Sequence, residues 1–525
     1  MAEVLTASRR LGGAGQAMYR AMQWLLPLYG ACVLLALLVE SRFFLPAEDA
    51  VILWAYSRNL ALHGVISYAA GGPRVEGATD FAWMVCVAAA IRCGLDPFLF
   101  TGVVNVLCLA GLAVYLLRLA GERVTAWRVL LIAGAAGCTP QIFAAASGFA
   151  TLPDALLLTA TVFYATQRSV WQAAATACVF CLFRPDGVVF AVPLLVTLLW
   201  TSADRRRDAG RILTAFVLPG AAYFLWRAWY FQELLPLPFY VKADAHRVLH
   251  TVVTGSVRTS LVFLIFAVLV IATVRKVAPQ FRQNRSLILS LVVVPTLFYW
   301  CMRLDQNVAF RFYFYLPLAA AMVLACHWKA LRVRANFVSG AVCLPWLLLL
   351  AMPLRRELRT FLDLQSPQLR DIALQLQTIP QHGTLLSSEA GILPYYSGWT
   401  AVDPWGLNTP AFAHRFFQPS DVESLAPDLI HMHPDAGESC DAQPGWATPY
   451  ERRSWQALTR NIAAGASPAL YELWQTSYGS EVYRRRKHWG YGQGDVSCWF
   501  VRRGTVHQAA IEHVLATHHG VSMLH

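Results

Sequence analysis

The sequence predicts a polytopic α-helical membrane protein with a C-terminal soluble α/β domain, and three observations predict it. The chain is 57% hydrophobic and only 14% charged, with a mean hydropathy of +0.44, where a soluble domain carries roughly 25% charge. Apolar runs near the length that spans a bilayer as a helix recur from the N-terminus to Leu354. After Leu354 the composition turns polar, and turn dipeptides replace the long runs.

Taken in order, the first run is 23–40. Arg9, Arg10 and Arg20 precede it, and no small-x-small cleavage site follows, so it reads as an uncleaved helix with a cytoplasmic N-terminus. Further spans fall at 98–118, 129–147, 150–167, 170–183, 187–201, 211–230, 258–275, 287–302, 312–329 and 336–354. The run 81–95 is short for a crossing. Placing it in the interface puts the densest positive loops, 118–128, 203–211, 275–285 and 329–334, on the cytoplasmic side. About 11 transmembrane helices result, with the N-terminus inside and the C-terminus outside. The net charge of +12 then calls for cytoplasmic loops and anionic ligands, not for nucleic acid.

That topology gathers polar residues on the outer face. Glu48, Asp49, Arg74, Glu76, Asp80, Asp154, Asp186, Glu233, Lys242, Arg303 and Arg311 come from five separate loops. Charges at a membrane boundary are costly and are paired or functional. Each alone fits a helix cap or a solvated position; together they point to a site. An acid at the membrane surface can take a proton from a hydroxyl. Cations beside it can stabilise a departing phosphate. A plain reading of Glu48-Asp49 competes, because acids favour the first turn of any helix.

Residues 356–525 form an outer domain long enough to bury its own core. Residues 383–408, 426–434, 481–489 and 498–503 read as short strands with Gly and Pro turns. Cys440 and Cys498 stand alone there and are a candidate disulfide in an oxidising compartment. Cys178 and Cys181 lie inside a span, where small apolar residues are the simpler reading. No nucleotide-type Gly loop and no metal spacing is evident, and His431 and His433 lack a third ligand.

The chain resembles the GT-C fold of polyprenyl-phosphate-dependent glycosyltransferases. More narrowly, "EDAVILWAYSRNLALHG" and "GGPRVEGATDFAW" are similar to the opening block of bacterial terminal arabinofuranosyltransferases and their relatives. "SGFATLPDALLL", "RPDGVVFAVPLL", "WYFQELLPLPFYVKA", "FRFYFYLPL" and "GILPYYSGWTAVDPWGLN" resemble later blocks in the same order. The family's paired Asp is Glu48-Asp49 here, and its Arg-Pro-Glu is Arg184-Pro185-Asp186.

The resemblance implies a membrane catalytic module over 1–355, with interfacial helices in a first outer loop at 41–97, and an extracytoplasmic domain over 356–525. It implies inverting transfer of a sugar, arabinofuranose first, from a polyprenyl phosphate to a glycan, lipid or protein acceptor at a bacterial inner membrane. Glu48 or Asp49 would be the base. Lys242, Arg58, Arg74, Arg303 and Arg311 would hold the lipid phosphate. Glu76, Asp154, Asp186 and Glu233 would meet sugar hydroxyls, and Tyr395, Tyr396, Trp399 and Asp403 a sugar on the outer domain. No cofactor is expected, and a divalent metal is possible in this fold but not predicted. A lipid-linked glycan flippase or ligase, or a transporter, is the alternative. A ligase would put paired Arg and His in a large mid-chain loop, and a transporter would show internal repeats; neither pattern is found.

Overall fold

The computed structural model describes residues 13–39, 46–242, 257–277, 285–302, 304, 307–329, 367–434, 440, 454–477, 496–518 and 521–523. It is a polytopic bundle of apolar helices followed by a sheet domain. Among the described residues, Pro97–Leu119, Arg205–Phe231 and Val308–Cys326 are long and apolar enough to cross a membrane. Seven shorter apolar helices accompany them, including Trp24–Leu38, Val170–Phe183 and Leu289–Cys301. Trp24, Leu107, Trp200, Leu225 and Leu297 stay exposed on their outer faces. Phe180, Phe190, Tyr299, Tyr313 and Tyr315 fill the interior, as expected of helices that meet lipid outside and one another inside.

Two expectations are corrected. The run 129–147 is not one span: a helix at Ala126–Gly137 stops, and a short one resumes at Ile142–Ala146. Pro140 is the cause, since it lacks an N–H and restricts the residue before it. Likewise 383–408 is not strands alone, because the helix Ile392–Ser397 separates two of them. The expected span at 336–354, the expected strand at 481–489 and Arg303 lie outside the described residues.

The C-terminal domain holds a six-stranded sheet. Its strands are β1 (Thr384–Ser387), β2 (Thr400–Val402), β3 (Leu429–Met432), β4 (Tyr471–Ser477), β5 (Val496–Arg502) and β6 (Val521–Met523). The spatial order is β2-β1-β3-β5-β4-β6, with β1 parallel to β2 and β3 and the other pairs antiparallel. β3 is buried along its whole length; Leu429, Ile430 and Met432 are apolar, and the one polar residue, His431, is partnered by Ser387 and Ser497. Cys498 on β5 is joined by a disulfide to Cys440.

The segment that follows the first apolar helix is built into this domain. The helix Glu48–His63 buries Val51, Leu53, Trp54, Tyr56 and Asn59. Its apolar side chains share one core with Ile372, Leu386, Leu393, Phe417 and Trp499 of the C-terminal domain. Its first turn carries Glu48 and Asp49, and Gly64 ends it in the left-handed region at φ 69° with its N–H bonded to the Leu60 carbonyl, a glycine stop.

A buried ion pair ties this segment to the bundle. Arg227, near the end of Arg205–Phe231, donates to the Glu76 carboxylate and, at 2.6 Å, to the Leu234 carbonyl. The two side chains are only 4% and 7% exposed. Removing one partner of such a pair leaves a buried charge alone, at a cost of about 3–5 kcal/mol. Arg227→Met is therefore expected to lower the thermal unfolding midpoint in detergent clearly. An unchanged midpoint would show that the pair is not buried as described.

Candidate functional site

The site begins where the acid helix begins. The Ala47 N–H bonds the Ser147 carbonyl at 3.0 Å. Gly148, at φ 91°, lets that turn press against Trp54, whose ring leaves no room for a Cβ there. The Trp83 indole N–H bonds the Gly148 carbonyl at 3.3 Å. The turn 147–149 thus fixes the first turn of the acid helix against the bundle.

Opposite Asp49 stands Arg311. One guanidinium nitrogen donates to the Asp49 carboxylate at 2.7 Å. The guanidinium lies 4.0 Å from the Phe149 ring centroid and 5.0 Å from that of Phe312, a cation–π enclosure. Arg311 is aimed by a 3-10 turn, Val308–Tyr313, in which Ala309 and Phe310 adopt φ of 52° and 54°. Left-handed backbone at non-glycine residues costs on the order of 1–3 kcal/mol each and persists where surrounding structure imposes it.

A second pair adjoins it. Arg184 forks onto Asp186 at 2.9 and 2.6 Å and reaches Asp154 at 3.4 Å. The Tyr299 hydroxyl donates to Asp186. Asp80 feels Arg184, Asp186 and Arg311 together; burial pushes its carboxyl up, and the Arg184 charge partly offsets that. The carboxylates of Asp49, Asp80, Asp154 and Asp186 thus face the guanidiniums of Arg184 and Arg311.

Four of the seven buried side-chain polar atoms without a partner among the described residues lie in the same region, the others being on Ser290, Arg370 and His518. The four are the Trp54 indole nitrogen, Oε1 of Gln141, Oδ1 of Asp154 and one terminal nitrogen of Arg311. Gln141 belongs here because its amide reaches the Phe310 carbonyl at 3.4 Å. An unmade buried hydrogen bond costs about 1–3 kcal/mol, so these atoms fit a site completed by a hydroxylated or anionic ligand. The free Arg311 N–H and the free acceptors of Gln141 and Asp154 match a phosphate and sugar hydroxyls respectively.

Glu48 faces elsewhere. Its Oε1 accepts from the backbone N–H groups of Gly391 and Ile392 at 2.5 and 3.0 Å. Burial, then the charge of Glu389, push its carboxyl up to about 8 against those two donors, and Asp49 adds to the push. An unfolded Glu titrates near 4.3. Between these values the folded state holds the extra proton, so stability falls as pH rises through that window. The midpoint of thermal unfolding is expected to drop between pH 5 and 8.5, and Glu48→Gln to flatten that slope. An identical slope in the variant would remove Glu48 from the account.

The remaining candidates are dispersed. Arg58 is committed to the C-terminal domain, donating to the Tyr395 carbonyl at 2.7 Å and lying over its ring at 4.5 Å. Arg74 is exposed and covers the Tyr230 ring at 4.7 Å. Lys242 ends the helix Leu237–Lys242, half-buried and with no hydrogen-bond or ion-pair partner among the described residues. Glu233 meets His414 at 2.9 Å, outside the cluster. Tyr396 lies under Arg370. Trp399 is buried, its indole N–H bonded to the Leu376 carbonyl. Asp403 is buried and accepts from Trp405 and Asn408, which pull down a carboxyl that burial raises. These aromatic residues therefore do not present one ledge.

Several contributors were missed by sequence reasoning. Arg227 and Tyr299 sit inside expected spans, where a lone polar group in an apolar run is a signal that it has a partner. Gln141 follows the Pro140 break. Gly391 and Ile392 contribute only backbone, which no sequence pattern announces.

The chain resembles two solved structures at low identity. ArnT from Cupriavidus metallidurans bound to undecaprenyl phosphate matches with a TM-score of 0.52 and 14% identity, over 79% of this chain and 94% of that one. The Archaeoglobus fulgidus oligosaccharyltransferase in the apo form matches with a TM-score of 0.50 and 10% identity, over 93% of this chain and 75% of that one. The fold is the GT-C fold. Residues 358–493 match the profile of a domain of unknown function, DUF8728. No curated protein sequence matches this one.

Proposed function

We propose that this chain is a membrane glycosyltransferase that moves a sugar from a polyprenyl phosphate to a glycan, lipid or protein acceptor. The observation that carries the reading is the Asp49–Arg311 pair, whose guanidinium keeps one buried N–H free. The GT-C fold supports it, as does the undecaprenyl phosphate bound to the ArnT neighbour.

In the mechanism, Arg311 receives the donor phosphate and Asp49 accepts the acceptor's hydroxyl proton. The hydroxyl oxygen forms a bond to the anomeric carbon as the carbon–oxygen bond to phosphate breaks. The electron pair leaves with the lipid phosphate, whose charge Arg311 stabilises. Attack from the face opposite the phosphate inverts the anomeric carbon. Asp154 and Asp186, oriented by Arg184, take sugar hydroxyls. Lys242 and Arg303 supply further positive charge toward the lipid phosphate.

The sugar is arabinofuranose, on the strength of the opening block's resemblance. The site faces outside a bacterial inner membrane, with the N-terminus cytoplasmic, residues 1–355 as the catalytic module and 356–525 as the outer domain; the loop charges support that orientation. The test is turnover by purified protein of synthetic farnesyl-phosphoryl sugars, arabinofuranose first and then mannose, glucose and aminoarabinose, followed by mass spectrometry. Loss of the arabinofuranosyl donor is expected. No turnover of any donor, with a membrane extract as acceptor, would point to a flippase instead.

A further inference from the structure

The outer domain grips the first turn of the acid helix, and the grip falls on the residue beside Asp49. Oε1 of the Glu48 carboxyl group accepts two backbone N–H groups, from Gly391 and Ile392, at 2.5 and 3.0 Å. A Cβ at Gly391 would collide with the Glu48 carbonyl oxygen and press on its carboxyl carbon. Only glycine allows this approach. Three more contacts brace the segment. The Tyr68 hydroxyl donates to the Ala390 carbonyl at 2.6 Å, Arg58 donates to the Tyr395 carbonyl at 2.7 Å, and Tyr395 packs edge-on against Trp54 with ring centroids 6.2 Å apart.

We propose that residues 389–392 of the outer domain form a clamp in which Glu48 is a positioning residue, held by the Gly391 and Ile392 N–H groups so that the adjacent Asp49 stays aimed at Arg311. The inference rests on the glycosyltransferase reading for what Asp49 does. It assigns the adjacent acids different tasks. Glu48 acts through hydrogen-bond acceptance, and Asp49 acts on the substrate. It also gives a role to the region that matches a family profile of unknown function.

Geometry makes the two tasks separable. A glutamine at 48 keeps an Oε1 that can accept both N–H groups but cannot serve as a base, whereas alanine removes the acceptor altogether. Positioning errors of about 1 Å cost up to a hundredfold in rate. The titratable groups that face Glu48 are Glu389 and Asp49, so below about pH 7, where Glu48 of the wild type holds its proton, a clamp that works by acceptance should leave the pH–rate profile of Glu48→Gln like that of wild type.

The experiment compares wild type, Glu48→Gln, Glu48→Ala, Gly391→Ala and Asp49→Asn, each checked as monodisperse in detergent. Donor turnover and amide hydrogen exchange over 389–397 are both measured. Glu48→Gln is expected to keep turnover within about threefold of wild type, with slow exchange at 391 and 392. Glu48→Ala and Gly391→Ala are expected to lose about ten- to a hundredfold in kcat at unchanged donor KM, with fast exchange there. A Glu48→Gln variant as inactive as Asp49→Asn would overturn the proposal by making Glu48 the base, and it would leave the glycosyltransferase reading intact. Absence of donor turnover in every protein would instead sink that reading. The exchange measurement still decides the clamp, since equal exchange at 391 and 392 in wild type and Glu48→Ala would refute it.

Discussion

Asp49→Asn is expected to lower kcat by about 10²–10⁴, the range lost with a general base, while donor binding changes little. The reason is positional. Asp49 is the acid of the pair that faces the cluster, with its side chain about a quarter exposed and so open to a ligand at 25% relative accessibility. Asparagine keeps the size and one acceptor oxygen, so the bond from Arg311 at 2.7 Å survives in the variant. What disappears is the capacity to take a proton. Arg311 partly neutralises Asp49 while the site is empty. A donor phosphate on the unpaired nitrogen of the same guanidinium offsets that positive charge, which leaves Asp49 a stronger base for the acceptor hydroxyl. The measurement is donor turnover at saturating donor, beside a separate binding titration. Turnover within a few-fold of wild type would remove Asp49 from the chemistry.

Arg311→Ala carries the second large effect, and it should appear in donor binding. A charge-assisted hydrogen bond contributes about 1.5–3 kcal/mol, so affinity for a polyprenyl phosphate is expected to fall by roughly ten- to a hundredfold. Arg311→Lys should not restore it, because one nitrogen of the fork holds Asp49 while another is left for the ligand, and a lysine ammonium has no such fixed fork. The substitution also empties the space between Phe149 and Phe312, so the unfolding midpoint is measured alongside binding. Titration with undecaprenyl phosphate decides the point. Affinity within twofold of wild type would show that the phosphate binds elsewhere, with Lys242 the next candidate.

Glu48 and Asp49 show how far sequence reasoning reaches. Adjacent acids after a first apolar run are visible in the sequence, and so is the resemblance that makes them interesting. Which of the two faces the site is not visible, because successive residues on a helix point about 100° apart and the partner of each comes from far along the chain. Glu48 meets residues 343 and 344 positions away, and Asp49 one 262 away. The same holds for the arginines. Arg58, Arg74 and Arg311 are equally charged in the sequence. Yet Arg58 is spent on Tyr395 and Arg74 on Tyr230, and Arg311 alone of these three joins the acidic cluster.

The sequence by itself determined the class. Composition and run length require helices in a membrane, because only internally bonded backbone survives in lipid, and the change after Leu354 requires a second, water-facing domain. The Gly64 stop and the Pro140 break follow from single-residue stereochemistry, yet the reading of 129–147 as one span passed over the second of them. Only the tertiary structure decided that the helix Glu48–His63 shares its core with the C-terminal domain, that Arg184 serves Asp154 and Asp186 together, and that a backbone segment at 391–392 grips Glu48. Those features depend on distance in space. Pairing energies fall with separation and rise with burial, and neither quantity is written in the order of residues.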